Sequence, residues 1–220
     1  MKISIAIDGP AGAGKSTIAK LIGEKYNLMY INTGSMYRAV TLFAMRKGIE
    51  PSQVEELCEL IDTLKMYFKN ENLIVNDIDV TDELRSIEVT NNVSRYASIL
   101  EVRQKLVEMQ QEIAKNYSVI MDGRDIGTVV LKNASLKIFL TARAEERAKR
   151  RYDELIAKNV KVDYNNILED IKKRDYIDSN RKVDPLRKAE DAIEIDSSTM
   201  NISEVVETIS KYISSTNVDK

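Results

Sequence analysis

Apolar residues in this chain fall into short, nearly unbroken runs that alternate with longer stretches of helical spacing. Residues 2–7 are mostly apolar with little alternation, as in a strand buried on both faces. After a glycine-rich turn, Ile18, Leu21 and Ile22 place a helix over residues 16–26. Residues 28–31 predict a second strand, and residues 33–47 a helix stopped at Gly48. Pro51 predicts the first turn of another helix, running to about Leu64. The texture then changes. Residues 65–68, 73–75 and 78–80 read as three short strands, separated by Asn70-Glu71-Asn72 and Asn76-Asp77. Residues 86–115 return to helix, in two pieces. Residues 119–121, ending at Asp122, and 136–140 are buried strands. Residues 144–158 and 164–176 are charged helices, 192–195 a last strand and 202–213 a closing helix. The tail, 214–220, is expected to fray. The alternation predicts an α/β fold with a parallel sheet core and helices on both faces, interrupted by a small antiparallel insertion.

Composition narrows the chemistry. The 220 residues contain one cysteine, Cys58, and no histidine. An internal disulfide, a Cys-based zinc site, His-ligated metals and Ser-His or Cys-His catalysis are thereby excluded. The net charge of −2 argues against a nucleic-acid partner. Residues 137–188 nonetheless hold 15 Lys/Arg against 10 Asp/Glu, leaving −7 on the remainder. Such a basic region suits a small, highly charged anion, although most of its charges read as solvated helix faces. No apolar run approaches the ~18 residues of a membrane span. The opening run is too short for the apolar region of a signal peptide. A cytoplasmic monomer with no membrane partner is the expectation.

One motif carries a definite mechanism. Gly9-Pro10-Ala11-Gly12-Ala13-Gly14-Lys15-Ser16, followed by Thr17, matches the phosphate-binding loop G-x-x-x-x-G-K-[ST] in full. By average residue frequencies a chain of this length shows that pattern by accident on the order of one time in a hundred. Here it also sits between a predicted strand and a predicted helix, the context it requires. Its backbone N–H groups would cradle ATP phosphates, Lys15 would reach the β and γ phosphates, and Ser16 would ligate a transient Mg²⁺. Asp122, at the end of a strand, is a candidate to orient that Mg²⁺ through water, or else a turn-forming residue before Gly123. No Asn-Lys-x-Asp segment is present, which disfavours a GTPase switch.

The acceptor side turns on arginines, because phosphoryl transfer needs cations around the moving group. The candidates are Arg38, Arg103, Arg124, Arg147, Arg150, Arg151, Arg174 and Arg181, and spacing alone does not choose among them. The segments Asn32-Thr-Gly-Ser-Met-Tyr-Arg38, Asp122-Gly-Arg-Asp125-Ile-Gly-Thr128 and Arg174-Asp-Tyr-Ile-Asp-Ser-Asn-Arg181 resemble those of bacterial cytidylate kinases. So does the Gly-Pro-Ala-Gly-Ala form of the loop. The resemblance runs in order from Ile3 to about Ile209, and the insertion at 65–80 is similar to that family's enlarged monophosphate-binding lobe. One departure is Ser16, where many members carry Gly; Ser keeps a hydroxyl for Mg²⁺.

This resemblance implies a single P-loop NTPase-fold domain over residues 1–220. Its core would be about 1–32, 116–146 and 182–220, with a monophosphate-binding insertion at about 33–115 and a lid at about 147–181. It implies transfer of the γ-phosphoryl of ATP, with Mg²⁺, to CMP and dCMP. Thr33, Tyr37 and Arg38 would line the monophosphate pocket, and Arg38 and Arg124 would hold the acceptor phosphate. Ser94, Arg103, Asp125 and Arg181 would read the base; Arg174 and Asp178 would hold the ribose or phosphate end. Arg147 and Arg151 would close over ATP, with Arg150 beside them. Lys15, Arg38, Arg124, Arg147, Arg151 and Arg181 would be the catalytic cations. The chemistry of cytosine is compatible with this. A carboxylate accepts from N4, whereas uracil would set a carbonyl oxygen against Asp125. The bland reading of Asp125 is a helix cap or a partner of Arg124. Rival readings are a P-loop kinase acting on UMP, AMP, shikimate or dephospho-CoA, and a non-catalytic module that binds ATP and a protein partner.

Overall fold

The computed structural model describes residues 2–215. In chain order, β1 (Ser4–Asp8), α1 (Lys15–Tyr26), β2 (Met29–Asn32), α2 (Thr33–Arg46) and α3 (Val54–Thr63) lead to a small three-stranded unit, β3 (Met66–Lys69), β4 (Asn72–Val75) and β5 (Ile78–Asp79). Then follow α4 (Ile87–Ala97), α5 (Leu100–Asn116), β6 (Val119–Gly123), β7 (Leu136–Thr141), α6 (Ala144–Ala157), α7 (Tyr164–Asn180), β8 (Ile193–Asp196) and α8 (Ile202–Ser215). β1, β2, β6, β7 and β8 form one parallel sheet in the order β2-β6-β1-β7-β8, and β3-β4-β5 a separate antiparallel one.

The sheet is buried on both faces, so its strands are apolar throughout and each face has its own core. Ile5, Ile7, Ile120, Ile138 and Leu140 point to one side and pack with Ile18 and Ile22 of α1 and Val205 and Ile209 of α8. Ala6, Ile31, Val119 and Met121 point to the other, into a core shared with α2 to α5 and the small sheet. The alternation follows from the two-residue period of a strand. β1 is central. β2 lies beyond β6 on one side of β1 and β7 lies on the other, so a crevice opens at the carboxyl ends of β1 and β6, where ligands bind in folds of this kind.

Most predicted elements appear within a few residues of their expected ends, and the α/β class is as expected. Pro51 is a correction: it lies in a turn, and α3 starts only at Val54, where Gln53 precedes it and its backbone N–H donates to Glu50 O at 2.9 Å. Gly48 does stop α2, with φ 68° and its N–H on Met45 O at 3.1 Å, the backbone that glycine adopts at low cost. Two short turns were not expected, a 3-10 turn at Glu83–Arg85 and a π-helical turn at Ile126–Val130. Ser214 and Ser215, assigned to the tail, belong to α8, and the rest of the expected tail lies outside the described residues. Among the described residues no helix is long and apolar enough to cross a membrane.

Candidate active site

The phosphate-binding loop runs from the end of β1 into the N-terminus of α1. Gly9 has φ 147°, and a Cβ there would lie 2.0 Å from Leu140 O, so only glycine lets β7 approach this closely. Gly14, at φ 86°, caps α1 and turns the backbone so that the helix N-terminus faces the crevice. Lys15 is 5% exposed, and its ammonium donates to Pro10 O at 2.7 Å. Burial and the neighbouring Arg124 push its pKa well below the usual lysine value. A bound polyphosphate would supply the negative charge this site is short of.

Two carboxylates end the central strands. Asp122 of β6 accepts from Ser16 Oγ at 3.2 Å and from Tyr30 Oη at 2.8 Å, while Thr33 Oγ1 donates to its carbonyl at 2.8 Å. It lies within the strand and is not a turn former. Its burial pushes the carboxyl pKa up, against Lys15, which pulls it down. A hydroxyl and a carboxylate side by side are hard oxygen donors of the kind Mg²⁺ takes together with substrate phosphates and water, so the residues present fit that ion.

Asp8 of β1 escaped the sequence reading. Its two carboxylate oxygens accept from the backbone N–H groups of Ile126 and Gly127 at 2.8 and 2.7 Å. It therefore pins the π-helical turn to the start of the phosphate loop. Burial pushes its pKa up from 3.8 to about 6, with Asp125 adding to the rise and the two N–H bonds and Lys15 opposing it. A raised folded pKa means that this group favours the folded state most below its unfolded value, and that the advantage is lost as pH rises through about 6. Asp8→Asn cannot ionise. Its unfolding free energy relative to the natural chain should therefore rise by about 2 kcal/mol between pH 4 and pH 7. Urea unfolding of both proteins across that range measures the difference, and a flat difference would contradict the burial argument.

The acceptor cavity, of about 230 Å³, is lined by Thr33, Tyr37, Arg38, Ser94, Arg103, Arg124, Asp125, Arg174, Asp178 and Arg181, every residue expected on the acceptor side. Its cations fall into two groups. At one end, Arg38 donates only to neutral acceptors, Leu84 O at 3.0 Å and Thr90 Oγ1 at 2.8 Å. Burial, then the facing guanidiniums of Arg174, Arg124 and Arg151, bring its pKa down to about 9, so it remains charged at neutral pH. Burial and Arg124 likewise bring Arg174 to about 10, and its Nε is buried without a hydrogen-bond partner. Asp178 is the local counter-charge: Arg124 Nε donates to it at 2.7 Å and Arg174 Nε lies 4.0 Å away. Burial raises the pKa of Asp178, but Arg124 and Arg174 outweigh that and hold it below the usual carboxylate range. Two arginines share one carboxylate and Arg38 beside them has none, which leaves an excess of positive charge that an anion would balance.

At the other end the charges balance. Arg103 is 1% exposed and sits over the Tyr37 ring at 5.5 Å from its centroid. It donates to Asp125 Oδ2 through Nη2, to Asp184 Oδ2 through Nε at 2.9 Å and to Ala97 O at 3.2 Å. Arg181 lies 3.4 Å from Asp125 Oδ1. Asp125 makes no side-chain cap to the π-helical turn, and Arg124 pairs elsewhere, so neither bland role expected for it is observed. Burial raises its carboxyl pKa, against the pull of Arg103 and Arg181.

A second cavity, of about 990 Å³, lies across the phosphate loop and is lined by Gly12, Ala13, Gly14, Lys15, Ser16, Thr17, Arg147, Arg150 and Arg151, together with Ser197, Met200 and Asn201. Gly12, Lys15 and Ser16 line both cavities. Ala11 lines only the acceptor cavity, while Gly9 and Pro10 shape the loop and line neither. Arg147 is not free: it donates to Ala142 O and Ala11 O, each at 2.8 Å, and to Asp175 Oδ2 at 2.6 Å, tying α6 and α7 to the phosphate loop. Arg150 donates to Ser197 O at 2.5 Å, and half-exposed Arg151 pairs with Glu154 at 2.8 Å. Ser197, Met200 and Asn201 were missed because the loop after β8 carries no motif; only the β8 position beside β7 brings it to the site.

A phosphate loop at the head of a parallel sheet, between a large cavity and a cation-rich acceptor pocket, defines a P-loop phosphotransferase. The chain belongs to the cytidylate kinase family: a family model described as cytidylate kinase matches residues 5–215. It is 63% identical to the cytidylate kinase of Clostridium acetobutylicum over 214 residues, covering 97% of this chain and 99% of that protein. It is 61% identical to that of Clostridium tetani, covering 98% and 96%. Among solved structures, the shikimate kinase from Bacteroides thetaiotaomicron aligns with a TM-score of 0.51 at 13% identity, over 96% of this chain and 98% of that one, which bears on the fold alone.

Proposed function

We propose that this chain transfers the γ-phosphoryl group of ATP to CMP, giving ADP and CDP, and accepts dCMP as well. The observation that carries this is the division of the acceptor cavity. One end holds an under-compensated cluster, Arg38, Arg124 and Arg174 with Asp178 as its carboxylate, suited to a phosphate; the other holds the charge-balanced group of Arg103, Arg181, Asp125 and Asp184, suited to a base edge with both donor and acceptor atoms. Asp125 accepts from cytosine N4, and Arg103, Arg181 and Ser94 are the donors available to N3 and O2. Deoxy-CMP presents the same base and phosphate.

The phosphate of CMP is anionic near neutral pH, so its oxygen attacks without a general base, in keeping with a chain that has no histidine. Lys15 holds the transferring group from the loop side while Arg38 and Arg124 hold the acceptor oxygen's phosphate, and their charges are already in place before reaction. Mg²⁺, held by Ser16 and through water by Asp122, would neutralise charge on the ATP phosphates. Arg147 and Arg151 sit where a lid formed by α6 and α7 would exclude water from the transfer. The proposed working unit is a monomer, set in the cytoplasm where ATP and nucleoside monophosphates are available.

ADP release measured with CMP, dCMP, UMP and AMP tests the reading in one assay. CMP and dCMP should lead, with UMP lower by about tenfold or more in kcat/KM, the cost of an unpaired buried polar contact. A preference for UMP or AMP, or no turnover of any acceptor, would overturn it.

A further inference from the structure

Arg103 lies in α5 and Arg181 is the residue that caps the end of α7, the two arginines being 78 positions apart in the chain. Long guanidinium side chains do not hold one orientation without support, because each has many rotamers to lose. A single residue supports both. Asp184 accepts from Arg103 Nε through its carboxylate at 2.9 Å, and from Arg181 through its main-chain carbonyl, with Nε at 2.7 Å and Nη2 also in contact. Arg103 Nη2 donates to Asp125 Oδ2, and Arg181 Nη2, which also contacts the Asp184 carbonyl, lies 3.4 Å from Asp125 Oδ1.

Asp184 can serve both only because of its backbone. Its φ is 45°, in the left-handed region that non-glycine residues seldom occupy and that Asp and Asn tolerate best. It follows Arg181 by three residues in the short connection that leaves α7, and in that connection Leu186 N–H donates back to Asp178 O at 2.8 Å. The segment that leaves the lid is thus folded back against the base end of the acceptor cavity.

We propose that Asp184 is a positioning residue for base recognition: its carboxylate aims Arg103, and its left-handed backbone aims Arg181, at the Asp125 edge that meets cytosine. The inference rests on the base-reading role proposed for that edge. It makes Asp184 a determinant of specificity without contact to the nucleotide. It also makes the α7 connection part of the pocket, so that movement of the lid and the readiness of the base site are linked.

Two substitutions separate the side chain from the backbone. Asp184→Gly keeps the positive φ and the carbonyl contacts but removes the carboxylate. Asp184→Asn keeps the backbone preference and an acceptor oxygen for Arg103 Nε. The glycine variant should raise KM for CMP about tenfold and narrow the CMP-over-UMP preference, while KM for ATP stays within about twofold, because loss of one partner releases a charged donor at the base end only. The asparagine variant should restore most of both, to within about threefold of the natural chain. Melting temperatures of all three proteins show whether a change is merely structural: a global loss of packing would move both KM values together. The proposal is overturned if Asp184→Gly leaves KM for CMP and the preference unchanged, if both KM values rise alike, or if Asp184→Asn is no better than glycine. If the natural chain does not prefer CMP over UMP, the base-reading site itself falls, and this proposal with it. If that preference is present and Asp184→Gly does not disturb it, only the positioning role is lost.

Discussion

Lys15→Ala should lower kcat by about a thousandfold or more, while CMP binding and the fold persist. The side chain is the cation at the point where the two cavities meet, and γ-phosphoryl transfer leaves the protein little to do except stabilise spreading negative charge. Loss of such an electrostatic contact removes stabilisation that is greater in the transition state than in the bound substrate, so kcat falls more than KM rises. Stability should change little. The ammonium is buried, held down in pKa by burial and by Arg124, and bonded to a single neutral carbonyl, Pro10 O. Alanine removes a charge that burial and Arg124 oppose, gives up its attraction to Asp122 and Asp8, and leaves a helix former at the start of α1. Initial rates with CMP and saturating ATP, beside a melting curve, test both halves. Retention of more than about a tenth of the turnover would remove Lys15 from the transfer step.

Asp125→Asn should act on two properties at once. Its carboxylate is the shared partner of Arg103 and Arg181, and Arg103 is one of the most deeply buried large side chains in the protein. Removing one member of a buried ion pair costs about 3–5 kcal/mol, because the remaining charge keeps its desolvation penalty. In a chain of this length that corresponds to roughly 10 °C in melting temperature. The amide also offers a donor to O4 of uracil, so the CMP-over-UMP ratio in kcat/KM should narrow by about tenfold. Rates must be compared well below the variant's melting temperature, so that loss of fold is not read as loss of specificity. An unchanged melting temperature would contradict the buried network, and an unchanged ratio would contradict base reading by Asp125.

These two residues differ in how far the chain alone announced them. Lys15 belongs to a contiguous motif whose geometry is local: glycines at fixed offsets, then a lysine, then a helix. The flanking strand and helix are also local patterns, which is why β1, α1, β2 and α2 fall where the apolar spacing puts them. The small antiparallel sheet was legible for the same reason, from short apolar runs punctuated by asparagine turns. The acceptor arginines were legible only as candidates, and the resemblance of their segments to a known family was needed to choose among them.

The chain by itself determined the class of chemistry. A complete phosphate loop with no histidine and one cysteine leaves phosphoryl transfer carried by lysine, arginine, carboxylates and a metal ion. Only the tertiary structure decided which charges face one another. Asp8 became the clasp of the π-helical turn because sheet register sets β1 beside β6, with Asp8 opposite Gly123. Asp184 became the partner of two arginines because the chain turns left-handed where α7 ends. Contacts between residues 81 and 119 positions apart carry no periodic signal along the sequence. They are fixed by strand order, helix packing and the cost of leaving a buried charge unpaired.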